Sequence, residues 1–261
     1  MIDPSTQQRV WSILARTEPY ELNGRANDDH QFNKIVISPD GRFLFLNNGS
    51  RTDHGQLDDN GGAFPGAREI PISNAIMRVP TNGQDMVIPT DEEALRSSGL
   101  LFAKGIRNTF DMAFAANGDL FGVENGPDCD MPEELNWLRE GHHYGFPWRM
   151  GTEDNPQQFS DYDPDADRLV PHDTFVGSSG QYHNDPDFSS PPAGVAFTAP
   201  VINHDPDADF FRDPADGAVK DASGRSADSF PGAVRNCFGL CGNTNTTHRD
   251  RLFTLALHRD D

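Results

Sequence analysis

The chain has 261 residues, with 41 acidic against 21 basic side chains and a formal net charge of −20 at pH 7. Such a surface has no basic stripe to neutralise phosphates, which argues against nucleic-acid binding, and it suits oxygen-based metal sites. Hydrophobic content is 35%, while glycine (24) and proline (20) are plentiful. This composition favours an all-β fold of short strands and turns. Three cysteines make no disulfide framework, no stretch is long and apolar enough for a membrane span, and no signal peptide is visible.

Two segments share one design, a strand, a two-residue turn and a second strand. FNKIVISPDGRFLFLNNG (32–49) aligns at a constant offset with TFDMAFAANGDLFGVENG (109–126), so that Asp40-Gly41 falls on Asn117-Gly118. Asx-Gly turns between apolar runs are the strongest local signal for a β-hairpin. We therefore predict a repeated hairpin, with two unrelated hairpins of a β-sandwich as the alternative.

Each hairpin is followed by a further strand-like stretch. These stretches are 75–89, with its own Asn82-Gly83 turn, and 133–147. A pair of hairpins forms a four-stranded sheet, and a serial array of such sheets is typical of β-propeller blades. The sequence thus predicts an all-β fold, a β-propeller of four-stranded blades that is incomplete.

The repeat does not continue cleanly towards the C-terminus. Acidic Pro/Gly turns dominate 152–228, where 195–201 is a short strand candidate. The residues from 229 onwards change character again, with two of the three cysteines and a basic cluster. We predict an N-terminal lead-in (1–26), a partial propeller domain (27–228) and an atypical C-terminal tail (229–261).

Five short motifs occur in a fixed order between residues 29 and 147. They are Asp29-His30-Gln31, Gly-x-Arg107-Asn108, Glu124-Asn125-Gly126-Pro127, Glu134-Leu135-Asn136 and Tyr144-Gly145-Phe146-Pro147. Together they resemble the glucose/sorbosone dehydrogenase family, the soluble sugar dehydrogenases dependent on pyrroloquinoline quinone (PQQ). The resemblance implies a six-bladed propeller with PQQ and Ca²⁺ on its axial face.

The resemblance assigns two catalytic roles. His30 is expected to be the general base that takes the proton of the sugar hydroxyl while a hydride passes to the quinone, work that suits an imidazole near neutral pH. Arg107 is expected to stabilise the developing anion with its permanent charge. Arg107, Asn108 and Asn125 are the expected cofactor-binding residues. A structural histidine and a structural salt bridge are the alternatives for His30 and Arg107.

The metal ligands expected from the resemblance come from the loop after the second hairpin. The backbone carbonyls of Gly126 and Pro127 would bind the Ca²⁺ that accompanies PQQ, because a hard cation prefers oxygen ligands. Glu134 would hold a second, structural calcium. Asp128, Asp130 and Glu133 crowd the same loop, and a solvated acidic loop is the alternative.

One position departs from the family pattern. Gly49-Ser50 stands where the sugar dehydrogenases carry Gly-Asp, whose carboxylate orients the catalytic histidine. Asp53 can replace that carboxylate only if the loop after the first hairpin bends back towards His30.

Several other aromatic and histidine side chains are expected to be structural. We predict packing between blades for Tyr144, Phe146, Pro147 and Trp148. We predict turn or surface positions for His54, His142, His143 and His183.

The leading functional hypothesis is a quinone-dependent oxidoreductase that acts on a sugar or a related alcohol. Its partner would be a small-molecule sugar, its electron acceptor is not specified by the sequence, and a homodimer is left open. The family resemblance implies a periplasmic or secreted protein. The alternatives are a non-catalytic, Ca²⁺-stabilised propeller fragment or binding module, and a propeller hydrolase of the lactonase type.

Overall fold

The computed structural model describes residues 5–9, 11–19, 30, 32–59, 62–127, 133–167, 182–203, 210–212 and 219–221. The tail predicted at 229–261 lies outside these residues. The strands are, in chain order, β1 (Ala15–Thr17), β2 (Ile35–Ile37), β3 (Phe43–Asn48), β4 (Ala75–Pro80), β5 (Met86–Ile88), β6 (Leu101–Lys104), β7 (Thr109–Phe114), β8 (Leu120–Glu124), β9 (Glu134–Leu138), β10 (Arg149–Met150), β11 (Glu153–Asp154), β12 (Ile202–Asn203), β13 (Phe210–Arg212) and β14 (Val219–Asp221).

Helix is scarce in the described part of the chain. It comprises one short helix, α1 (Glu92–Ser97), and two 3-10 turns, Pro156–Gln158 and Pro164–Ala166. Asp91 caps α1, because its side chain accepts a hydrogen bond from the Ala94 N–H at 2.9 Å. Within the described ranges no helix has the length and apolar character that crossing a membrane requires.

Two four-stranded antiparallel sheets form the body of the fold. The first sheet has the strand order β2-β3-β4-β6, and the second has the order β7-β8-β9-β12. In each sheet three strands follow one another along the chain and the fourth strand completes the outer edge. The prediction of an all-β fold built from four-stranded blades is confirmed.

The two predicted hairpins are present, and their turns have the predicted chemistry. In the first, between β2 and β3, the Ser38 N–H donates to the Phe43 carbonyl at 2.8 Å. In the second, between β7 and β8, the Ala115 N–H donates to the Asp119 carbonyl at 2.8 Å. Gly41 and Gly118 adopt φ of 73° and 92°, the left-handed conformation for which these turns need glycine.

The fourth strand of each sheet is not where the sequence suggested. β4 pairs with β3 and with β6, whereas β5, beyond the Asn82-Gly83 turn, leaves the sheet and pairs in parallel with β1. The chain changes direction at Asp85, whose φ is 48°. In the second sheet the fourth strand is β12, and the predicted strand at 195–201 is reduced to one bridge between His143 and Phe197. Both predictions were wrong because an alternating apolar pattern does not identify the partner strand.

The main core lies between the two sheets. It contains Phe45, Ile76 and Ala103 of the first sheet, Met112, Leu120 and Leu138 of the second sheet, and the connecting Ile106 and Tyr144. Phe45 meets the Phe102 and Phe114 rings edge-on at centroid distances of 4.8 and 5.4 Å. Burying each large apolar side chain contributes roughly 1.5–3 kcal/mol, so this core holds the sheets face to face. A second core on the other side of the first sheet includes Met77, Ile88 and Leu95.

Candidate functional site

The loop that follows β3, residues 49–58 (the site loop), is buried although it has no regular secondary structure. Ser50, Thr52, Asp53 and His54 are all at most 5% exposed. The His30 N–H donates to the Ser50 carbonyl at 2.8 Å, and the Ser50 N–H donates to the Arg107 carbonyl at 2.6 Å. These two bonds place His30 and Arg107 on either side of the loop.

The site loop also carries Asp53 back to Arg107. The Arg107 Nε–H donates to the Asp53 carbonyl at 2.6 Å, and a second guanidinium nitrogen donates to the Asp53 carboxylate. A third nitrogen donates to the Asn125 carbonyl at 3.0 Å. Burial would by itself raise the pKa of Asp53, but Arg107 and His54 hold it below its usual range. Asp53 is therefore a charged carboxylate beside a charged guanidinium, both shielded from water.

His30 is neutral in this environment. Burial and the Arg107 charge lower its pKa to about 3, while the Asp53 charge raises it. Its Nε2 atom is buried, and no described residue forms a hydrogen bond with it. A neutral imidazole with an unengaged ring nitrogen can accept a proton from a bound hydroxyl group.

His54 was predicted to lie in a turn or on the surface, and this prediction is wrong. The side chain is 1% exposed, its Nδ1 lies 2.8 Å from the Asp53 carboxylate, and its ring stacks on Tyr182 at 4.2 Å. His143 is buried too, and burial lowers its pKa to about 4. His142 and His183 are half-buried. The sequence missed His54 because a loop residue has no periodicity from which burial can be inferred.

Of the side chains predicted to pack between blades, Tyr144 lies in the core between the sheets, whereas Phe146 and Trp148 pack elsewhere. Tyr144 is 1% exposed in the core between the sheets, and Phe146 is 2% exposed against Met150. Trp148 stacks on Phe197 with ring planes 7° apart. These side chains form part of the support under the site.

A small cavity lies beside Arg107 and the second sheet. It is lined by Gly105, Arg107, Glu124, Gly126, Pro127, Glu134, Phe146, Arg149 and Met150. The structure thus brings together four of the residues predicted from the sequence, namely Arg107, Gly126, Pro127 and Glu134.

Two buried glutamates face this cavity from neighbouring strands. Glu124 on β8 is the cross-strand partner of Glu134 on β9, and they are 4% and 5% exposed. The Arg107 backbone N–H donates to Glu124, and the Gly151 N–H and the Asn136 side-chain amide donate to Glu134. Burial raises the pKa of both, and the Glu134 charge raises that of Glu124 further.

A buried amide oxygen that has no hydrogen-bond partner in the described part of the chain lies next to this pair. The Asn136 side chain is 1% exposed, and its Oδ1 atom has no hydrogen-bond partner among the described residues. Two carboxylates and an unpaired amide oxygen are the donors that a hard cation prefers. Within the described ranges, however, no group of three or more His, Cys, Asp or Glu side chains could hold a metal. No role was predicted for Glu124, although its position in β8 places it on the same buried face as Leu120 and Gly122.

The remaining predicted residues have other surroundings. The Asn108 Oδ1 atom accepts a hydrogen bond from the Asn33 side chain at 2.5 Å, which ties the two hairpins together, and Asn108 is not among the residues that line the cavity. Asn125 contributes its backbone carbonyl to Arg107. Asp128 and Asp130 lie outside the described residues.

Comparison with known proteins agrees with the motifs. The family model "Glucose / Sorbosone dehydrogenase" matches residues 12–180, a range that includes both sheets' first three strands and every candidate site residue. The chain belongs to the glucose/sorbosone dehydrogenase family. The match begins within the predicted lead-in and ends before the predicted domain boundary at 228.

Sequence identity to the individual proteins that resemble this chain is low. Quinoprotein glucose dehydrogenase B of Acinetobacter calcoaceticus is 27% identical over 161 residues, which are 56% of this chain and 32% of the relative. The apo-form soluble aldose sugar dehydrogenase of Escherichia coli is 25% identical, covering 45% of this chain and 30% of its own, with a TM-score of 0.32. The holo pyranose dehydrogenase PQQ domain of Coprinopsis cinerea is 17% identical, with 61% and 40% covered and a TM-score of 0.39. The chain spans about a third of the length of the curated relative.

Proposed function

We propose that this chain carries the base and the electrostatic stabiliser of a PQQ-dependent dehydrogenase that oxidises a sugar or a related alcohol. One observation supports it above the others: a neutral, half-buried His30, whose buried Nε2 atom is unengaged, lies beside the buried Arg107–Asp53 pair. In this proposal Asp53 acts on His30 through its negative charge, since its carboxylate oxygens bind Arg107 and His54.

The donors present fit the expected cofactor and metal. Arg107 lines the cavity and suits a cofactor carboxylate or quinone oxygen. The Gly126 and Pro127 carbonyls suit the Ca²⁺ that accompanies PQQ, and Glu134, beside Glu124, suits the second, structural calcium. That second cation would relieve the repulsion that raises the Glu124 pKa. When bound, PQQ would accept the hydride and Ca²⁺ would act on it as a Lewis acid.

The chain's own residues handle the proton. The His30 Nε2 atom takes the proton of the substrate hydroxyl group, and the Asp53 charge stabilises the imidazolium that results. Arg107 opposes that protonation, since its charge lowers the His30 pKa. An anion bound to Arg107 would offset this charge, so the basicity of His30 is expected to increase when an anionic cofactor binds.

Reconstitution with PQQ and Ca²⁺, followed by an aldose screen with a dye acceptor, tests the proposal. We expect a bound-quinone absorption spectrum and dye reduction, which His30→Ala abolishes and His183→Ala, at a half-buried position away from the cavity, leaves intact. A protein that shows neither the spectrum nor dye reduction would refute the proposal. Equal activity in His30→Ala would place the base elsewhere.

The Glu124–Glu134 pair favours a second candidate, a Ca²⁺-stabilised propeller module without catalysis. The pair and the Asn136 Oδ1 atom form a cation site that does not involve His30. A melting temperature that rises with Ca²⁺ in a protein that does not bind PQQ would support this candidate over the dehydrogenase. The periplasmic or secreted location stays a prediction from the family resemblance.

A further inference from the structure

The position of Asp53 depends on a buried segment that has no sheet or helix to fix it. Backbone polar groups buried in this way need hydrogen-bond partners, because an unpaired one destabilises the fold. The Gly55 N–H donates to Thr52 Oγ1 at 2.9 Å, and the His54 N–H donates to the Gln56 side chain at 2.9 Å. The Asn155 side-chain amide donates to the His54 carbonyl at 2.6 Å.

The Glu69 carboxylate accepts hydrogen bonds from the two residues directly before Asp53. Its oxygens accept from the Arg51 N–H at 3.0 Å, from the Thr52 N–H at 2.9 Å and from the Thr52 hydroxyl at 2.6 Å. They also accept from the Ser73 hydroxyl at 2.7 Å. One carboxylate thus holds the backbone N–H groups of Arg51 and Thr52, together with the hydroxyl groups of Thr52 and Ser73.

We infer that Glu69 is a positioning residue, whose carboxylate sets the site loop so that Asp53 meets Arg107. Thr52 and Asp53 are adjacent, so the orientation of the Thr52 backbone determines where the Asp53 carbonyl and carboxylate lie. Both of these groups bind Arg107. The catalytic consequence rests on the proposed function, whereas the positioning itself does not.

The geometry requires a carboxylate rather than an amide at position 69. Four donor groups converge on two oxygens, and a glutamine side chain would replace one of these acceptors with an N–H₂ donor. That donor would face the Arg51 N–H and the Ser73 hydroxyl, so the Arg51 N–H would keep only its longer bond, 3.1 Å, to the remaining oxygen. Glu69→Gln is therefore expected to loosen the loop while it preserves the volume and shape of the side chain.

Hydrogen exchange of the Arg107 Nε–H, measured by NMR, tests the inference without any cofactor. In the wild type this proton is buried and bonded to the Asp53 carbonyl, so it should exchange slowly. Glu69→Gln should accelerate its exchange by about tenfold or more, while amides in the centre of β8 change by less than about twofold. Glu140→Gln, which alters a carboxylate bound by Arg78 on the exposed surface, is the matched control and should change neither.

Two outcomes would overturn the inference. One is an Arg107 Nε–H exchange rate in Glu69→Gln that stays within about twofold of the wild type. The other is an equal acceleration at β8, which would show general destabilisation. If Glu69→Gln does not fold, Ser73→Ala removes one donor from the same carboxylate and should accelerate the Arg107 proton alone; an unchanged rate there also overturns the inference.

The same variants separate this inference from the proposed function. If the wild type binds PQQ, Glu69→Gln should weaken PQQ binding by about the same factor by which it accelerates the exchange of the Arg107 Nε–H. Glu140→Gln should leave PQQ binding unchanged. If the wild type does not bind PQQ, the proposed function fails, and the exchange rates still decide the role of Glu69.

Discussion

Replacing Asp53 with asparagine removes the counter-charge of a buried guanidinium without changing the shape of the side chain. Arg107 and Asp53 are 4% and 5% exposed, so water cannot screen the charge that is left behind. The asparagine oxygen can still accept from Arg107, but it carries no charge, and its amide group faces the His54 ring nitrogen.

The expected loss of stability follows from burial. Removing one partner of a buried ion pair costs about 3–5 kcal/mol, because the remaining charge is uncompensated. Arg107 keeps its bonds to the Asp53 and Asn125 carbonyls, which places Asp53→Asn near the lower limit. We expect a decrease of about 3 kcal/mol in the free energy of unfolding at pH 7.

Urea unfolding at pH 7 measures the effect, with Asp154→Asn as the control. Asp154 pairs with Arg149 on the surface, where the two side chains are 50% and 37% exposed, so its loss should cost less than about 1 kcal/mol. The Asp53 pKa is depressed in the fold, so its contribution is present above the unfolded pKa of about 3.9 and is lost as the pH falls below it.

A double-mutant cycle with Arg107→Met separates the ion pair from the general packing of the loop. Removing both partners should cost less than the sum of the two single losses, by about 1–3 kcal/mol. A single loss below about 1 kcal/mol for Asp53→Asn, or strict additivity in the cycle, would refute the assignment of Asp53 as the partner of Arg107.

Three further predictions concern the glutamate pair and the core. In the metal-free protein, burial raises the Glu134 pKa from 4.5 to about 7. The stability contributed by its neutral form is therefore complete below pH 4.5 and is lost as the pH rises towards 7. Glu124→Gln should reduce this loss in urea titrations, so that its free energy of unfolding exceeds that of the wild type by an amount that grows with pH. Calcium should raise the melting temperature more at pH 8 than at pH 5.5, because it binds the ionised carboxylates and competes with protons; equal increases would contradict a site at this pair. Phe45→Ala, between the sheets, should cost about 3–5 kcal/mol by urea unfolding, whereas Phe159→Ala, at a position 46% exposed, should cost under about 1 kcal/mol.

Much of the sheet architecture could be predicted because its determinants are local. Asp40-Gly41 and Asn117-Gly118 each specify a tight turn within a few residues, and the flanking alternation specifies the buried face. The fourth strands could not be predicted in the same way, since β6 and β12 join their sheets after long connections. The apolar pattern of β5 fits a sheet edge equally well, yet its Ile88 side chain is buried in the second core together with Leu95 of α1.

In the candidate site, too, local sequence features predicted some of the residues, and long-range contacts determined the others. The order of the motifs identified the family and pointed to His30, Arg107, Gly126, Pro127 and Glu134 from the sequence alone. Only the tertiary structure decided that Asp53 reaches Arg107, that His54 is buried beside it and that Glu124 faces Glu134. The physical reason is distance along the chain: Asp53 and Arg107 are 54 residues apart, and their contact depends on how the two sheets pack and on how the buried loop satisfies its polar groups. Local sequence determines turns and faces, whereas burial and charge pairing depend on the whole fold.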